Sequence, residues 1–208
     1  TGKLRIAFTS ESWTGIEVNP EVADKTNEVA RLCETMGHDV EAARPQFDLE
    51  PYFGALGVMW GSALSFACDR LAAIMNRPVD GDHLEPVTLS IYESARNYSA
   101  ADLISAKIAL NTARRKVGHF FESYDLLLTP TVTQLPAVLG TIDLNQAKGL
   151  KAWEFGTAQF NAFTNLGNAT GYPAISLPLC QSADGLPIGM QFMAGFGKEA
   201  LLLKVAGA

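Results

Sequence analysis

The first forty residues constrain the fold most. Lys3 to Thr9 is a short apolar run that reads as a buried strand. Asn19-Pro20 then starts a helix: the Asn side chain can cap, and Pro occupies the first helical position, where its missing N–H costs nothing. Val22, Val29, Cys33 and Met36 fall on one helical face, and Gly37 ends the helix by taking the left-handed conformation. Val40 and Ala42 then alternate with Asp39 and Glu41, as in a strand exposed on one face. A strand, a helix and a strand within so short a span predict a right-handed parallel crossover.

The remainder of the 208 residues can bury a substantial core. Hydrophobic residues make up 48% and charged residues 18%, which excludes a disordered tail or linker. Net charge is −6, with all of the acid excess in the first half, and this argues against nucleic acid or an anionic membrane surface as partner. The basic run Arg114-Arg115-Lys116 lies in a helical pattern and reads as a solvated helix face. No signal-peptide core and no run of the ~20 apolar residues needed to span a bilayer is evident. Cys33, Cys68 and Cys180 are scattered and form no CxxC, so they read as buried or free thiols in a reducing, cytoplasmic setting, not as a disulfide frame or zinc site. His38, His83 and His119 are equally dispersed, and no metal site is expected.

Farther along, Phe47 to Met75 predicts one long helix or two stacked ones, with Gly54, Gly57 and Gly61 as small gaps in a helix hairpin. Asn76 to Glu85 reads as a loop. Ser99 and Asp102 make a capping-box variant. The helix that follows carries Leu103, Leu110 and Val117 at heptad spacing, then Phe120 and Phe121, as a core stripe. Asp125 to Thr129 is a short buried strand closed by Pro130, residues 130–152 form a loop, and Trp153 to Leu166 is helical. Trp153 and Phe155 are assigned to the core rather than to substrate. Pro173–Pro178 and Ile188–Met193 form an antiparallel hairpin around a Ser182–Gly185 turn, in the same sheet as the Lys3 strand. The expected class is α/β, with a mixed, mostly parallel sheet flanked by helices.

General catalytic patterns fail. There is no GxSxG nucleophile elbow. Gly195-Phe-Gly197-Lys198 lacks the first Gly of a phosphate loop and has Glu199 after the Lys. Val79 to His83 carries carboxylates without EF-hand spacing.

Two stretches reach further. Phe121-Glu-Ser-Tyr-Asp-Leu-Leu-Leu-Thr-Pro-Thr131 resembles a strand-loop of the amidase signature family, and Phe163 to Pro178 is similar to that family's Phe-Thr…Asn…Thr-Gly-x-Pro-Ala motif. Asp184-Gly-Leu-Pro-Ile-Gly-Met-Gln-Phe192 resembles its Gly-Leu-Pro strand. The resemblance spans essentially the whole chain. It implies hydrolysis of amides by a serine nucleophile, a cis-serine and a lysine, with backbone N–H groups stabilising the oxyanion and no cofactor. In that family these residues lie in the N-terminal half, beside a Gly/Ser-rich signature that is absent here. The resemblance therefore makes residues 1–208 a C-terminal portion, with no catalytic residue of its own and no activity alone. Its expected role is one wall of the substrate cleft, with Thr131, Asn161 and Asn168 as substrate-binding candidates.

Glutamyl-tRNA amidotransferase A subunits belong to the same family. The positions at which they carry an aspartate and an arginine correspond to Ala162 and to Glu85-Pro86 here, which points to an uncharged linear or cyclic amide. Leu84 to Thr88 and Tyr98 to Asp102 most resemble the subgroup of 6-aminohexanoate cyclic-dimer hydrolases. A stand-alone binding or scaffold module derived from an amidase half is the alternative from another class. An apolar face left by a missing half implies self-association, with Thr131 and Asn168 beside it.

Overall fold

The computed structural model describes residues 2–143, 145 and 160–208. Among them are five strands and six helices: β1 (Arg5–Phe8), α1 (Pro20–Thr35), β2 (Asp39–Ala42), α2 (Leu49–Met75), α3 (Pro86–Ala95), α4 (Ala100–Ser123), β3 (Leu126–Pro130), α5 (Asn165–Thr170), β4 (Ala174–Gln181), β5 (Pro187–Ala194) and α6 (Glu199–Ala206). The positions of Trp153 and Phe155, and the start of the helix expected there, lie outside the described residues. The chain divides into two compact units. One comprises residues 1–47, 113–137 and 158–208; the other comprises 48–112 and 138–157.

The first unit is built on one sheet of order β2-β1-β3-β5-β4. β1 pairs in parallel with β2 and with β3, and β5 pairs antiparallel with β3 and β4. Four of the five strands therefore run in one direction, as expected for a mixed, mostly parallel α/β sheet. Asn19 caps α1, its side chain accepting a hydrogen bond from Glu21 N at 2.9 Å. Gly37 stops the chain beyond α1 at φ +91°, a conformation that costs glycine little. Val22, Val29, Ala30 and Cys33 of α1 and Leu202 of α6 bury against Ile6, Leu126, Leu128, Met190 and Phe192. Met36, assigned to this face by spacing, is instead 46% exposed, because the helix has already ended and its position is the C-cap.

The hairpin joins β4 to β5 as expected, with a register shift between Leu177 and Cys180, where Pro178 removes a ladder donor. The helical reading past residue 160 also needs revision: after a turn at residues 162–164 the helix resumes as α5 and runs to Thr170.

In the second unit α2 is a single 27-residue helix. Of its three glycines only Gly61 lies against a neighbour. A Cβ there would stand 3.3 Å from Ala95 and Tyr98, so this glycine sets the approach of α3. Tyr92 of α3 donates to Asp69 of α2 at 2.7 Å and accepts from Arg96 at 2.8 Å, tying the two helices together. By length and composition α2 could also cross a bilayer, which the sequence reading did not register. Ser99 and Asp102 form a complete capping box: Asp102 accepts from Ser99 N at 2.8 Å, and Ser99 Oγ accepts from Asp102 N at 3.2 Å. Within α4 the buried residues are Ala106, Ala113 and Val117, while Leu103 and Leu110 are half-buried. Of the heptad found in the sequence Val117 is buried as expected, while Ala106 and Ala113 take the buried positions in place of Leu103 and Leu110.

Candidate functional site

The first unit places β1 between β2 and β3. The chain leaves β1 for β2 on one side, and β3 lies on the other. Ligands in open α/β sheets bind at such a switch, beyond the carboxyl ends of the strands. The amino ends are closed by a reciprocal contact: Arg5 N donates to Asp125 Oδ2 and Asp125 N to Arg5 O, each at 2.8 Å. Partial burial alone would raise the Asp125 pKa, but hydrogen bonds from the Arg5 backbone and guanidinium outweigh it and hold the carboxyl below its usual range.

At the carboxyl ends the two faces of the sheet differ. Leu126, Leu128, Met190, Phe192 and Ile6 point into the core beneath α1 and α6. The alternate residues face the other way, and level with the end of β3 they become polar, while β4 and β5 run on past this point to Gln181 and Pro187. Thr129 stands opposite Gln191 on β5, and Gln191 stands opposite Ser176 on β4. Gln191 Nε2 donates to Thr129 Oγ1 at 3.2 Å, and both residues are buried. That partnership is needed, since a buried amide without one costs about 1–3 kcal/mol.

One step farther out, Thr131 N donates to Gly189 O at 2.9 Å. Thr131 Oγ1 and Ser176 Oγ lie 2.6 Å apart. A Cβ on Gly189 would stand 2.9 Å from each hydroxyl oxygen, so only glycine admits the pair. Thr131 is half-buried and Ser176 exposed. The pair is open to solvent, whereas Thr129 and Gln191 beneath it are not.

The loop after β1 completes this end. Asn19 N donates to Thr133 O at 2.8 Å, joining the loops that follow β1 and β3. Ser12 Oγ donates to Ile16 O at 2.8 Å, and Arg44 pairs with Glu11 at 3.4 Å. Between them opens a shallow concavity of about 440 Å³ lined by Ser10, Ser12, Ile16 and Arg44 among others. Trp13 is buried beside Phe47 and Phe163, and its Nε1–H meets no acceptor among the described residues.

Of the three substrate-binding candidates from sequence, Thr131 lies at this strand end. Asn161 and Asn168 are exposed residues on or near α5. The Asn161 carbonyl accepts from Asn165 Nδ2 at 2.8 Å, and no hydrogen bond joins either asparagine to Thr131. α5 does cover the polar face of the sheet, with Gly167 against Met193 and Ala174. The sequence reading missed Ser176, Gly189, Thr129 and Gln191. The one signal within a single strand was the period of two by which Gly189 and Gln191 interrupt the apolar run Pro187–Ala194; Thr129 and Ser176 lie singly on two other strands. Among the described residues no cluster of three His, Cys, Asp or Glu could hold a metal ion.

Comparison with known proteins agrees with this architecture. The family model described as Amidase matches residues 1–203. The chain is 39% identical to "Putative amidase AmiC" of Mycobacterium leprae (strain TN), over 98% of this chain and 42% of that protein. It is 30% identical to the 6-aminohexanoate-cyclic-dimer hydrolase of Paenarthrobacter ureafaciens, over 99% of this chain and 43% of that protein. The solved structure of 6-aminohexanoate cyclic dimer hydrolase superposes with a TM-score of 0.89 at 30% identity, covering 99% of this chain and 44% of that one. A bacterial aryl acylamidase at 21% identity and TM-score 0.74 shares the fold. The chain spans about two-fifths of the length of the curated relatives it matches. By the extent of the family match, which spans residues 1–203, the chain belongs to the Amidase family.

Proposed function

We propose that the chain is the C-terminal portion of an amide hydrolase that cleaves the C–N bond of uncharged linear or cyclic amides, and that it supplies one wall of the substrate cleft. The nucleophilic serine, its bridging cis-serine and the lysine base belong to the other portion of such an enzyme. Thr131, Asn161 and Asn168 are the substrate contacts of this wall. The observation that carries the reading is the charge of the strand-end site: Thr129, Thr131, Ser176 and Gln191 are all neutral hydrogen-bonding groups. Such groups suit an amide, whereas a charged amino-acid substrate calls for an ion-pair partner. Ala162, which corresponds to an aspartate in glutamyl-tRNA amidotransferase A subunits, is apolar and fully buried, which weighs against that alternative.

The test is turnover. The chain alone should release no ammonia or amine above buffer from hexanamide or a cyclic amide. The complete open reading frame that encodes it should hydrolyse both, and should lose that activity when its lysine base is replaced. Enzyme-like turnover by the chain alone, or none by the complete polypeptide, would overturn the proposal.

A further inference from the structure

We propose that the Thr131–Ser176 hydroxyl pair, seated over Gly189, is an amide-recognition element that offers an O–H to a substrate carbonyl oxygen and an oxygen lone pair to its N–H. The substrate class rests on the amide-hydrolase reading above; the site rests on the geometry. At 2.6 Å one hydroxyl must donate to the other. That uses one of the two hydrogens. The hydroxyl that accepts keeps its own hydrogen free to point outward, and the hydroxyl that donates keeps lone pairs. Each polarises the other, so the outward donor is stronger than an isolated hydroxyl. The pair thus presents a donor and an acceptor side by side, the complement of a carboxamide edge.

The pair is held in place from below. Thr131 N bonds to Gly189 O, and Ser176 stands opposite Gln191, whose amide is fixed by Thr129. Gly189 contributes space: its missing side chain is the volume into which both hydroxyls lean, each 2.9 Å from where a Cβ would stand. Bracing the sheet does not require the pair, because β5 already pairs with β3 and β4 on its two edges. The side chains at this spot carry no charge, so an amide is favoured over the corresponding carboxylate, which would seek a cation.

The experiment is a binding titration of the chain followed by NMR, using hexanamide, methyl hexanoate and hexanoate. The ester keeps the carbonyl and lacks the N–H. The wild-type chain should bind hexanamide about five- to tenfold more tightly than the ester, the worth of one hydrogen bond. Ser176→Ala and Thr131→Val should each abolish that preference, while Thr131→Ser should keep it. Gly189→Ala, which pushes the hydroxyls apart, should behave like the two deletions. Thermal melts of each variant check folding, and a purely structural role would weaken amide and ester equally. Equal binding of amide and ester by the wild type, or a preference that survives both Ser176→Ala and Thr131→Val, would overturn the proposal. Because binding is read without turnover, amide selectivity can hold where hydrolysis fails, and the reverse, so the two readings fall separately.

Discussion

On one face of the five-stranded sheet, Ile6, Leu126, Leu128, Met190 and Phe192 lie sealed under α1 and α6. On the other, the same strands present Ala7, Leu127 and Met193 toward their middle, then Thr129, Gln191 and Ser176, and finally the Thr131–Ser176 pair where β3 ends, with β4 and β5 continuing past it. The backbone ladder is common to both. What differs is whether the residues level with the end of β3 are allowed to be polar. The first face does the work of folding and tolerates no interruption of its apolar run. The second gives up some apolar area near the strand ends, and its hydroxyls and amide are either satisfied by one another or open to a ligand. Stability and recognition are thus separated by the two-residue period of a strand, within single elements.

The separation can be broken most strongly from the core side. Leu128→Ala should destabilise the chain by about 2–5 kcal/mol, because a fully buried leucine leaves a cavity. A urea melt measures this, and any variant population that stays folded should keep its preference for amide over ester. If Leu128→Ala erased that preference without loss of stability, the two faces would not be separable.

A smaller effect is expected on the polar face. Thr129→Val strands the buried Gln191 amide and should cost about 1–3 kcal/mol. Adding Gln191→Leu should recover much of that loss, since removing both partners is nearly neutral, yet amide binding should remain impaired. Recovery of binding along with stability in the double variant would assign this row to folding alone.

Asn19→Ala, which removes the cap of the helix on the core face, should cost about 1 kcal/mol in the same melt and leave binding unaltered. The smallest effect is a pH dependence at the amino ends of β1 and β3. Asp125 has a folded pKa below its unfolded value of about 3.9. Its contribution is therefore full above that value and lost as pH falls through the lower folded one. The difference in urea midpoint between wild type and Asp125→Asn should be present at pH 7 and close progressively below about pH 4. It should be small, because the Arg5 partner is half exposed.

Much of this was legible in the sequence. The Asn19-Pro20 cap, the Gly37 stop, the Ser99–Asp102 capping box and the turn between β4 and β5 are local signals, fixed by residues within a few positions of one another, and the structure has each. The family motifs around Thr131, Phe163 and Gly185 fall on β3, β4 and β5. Less legible was what depends on contacts distant in sequence. Met36 follows the helical period but lies past the helix end. Leu103 and Leu110 follow a heptad, yet the helix buries its alanines instead. Thr131 could be selected because it follows a buried strand, but Ser176 is 45 residues away and Gly189 is on a third strand. Only the β3-β5-β4 register brings those three together, and no spacing within one motif contains it.

The most direct test of the division between the faces uses two methionines on one strand. Met190 points into the core beneath α1, and Met193 points to the opposite face beneath α5. With methyl-labelled Met and Thr, titration with hexanamide should shift the Thr131 resonance most, Thr129 and Met193 less, and leave Met190 unmoved. A shift at Met190 with Thr131 silent would place the ligand on the core side and contradict the account.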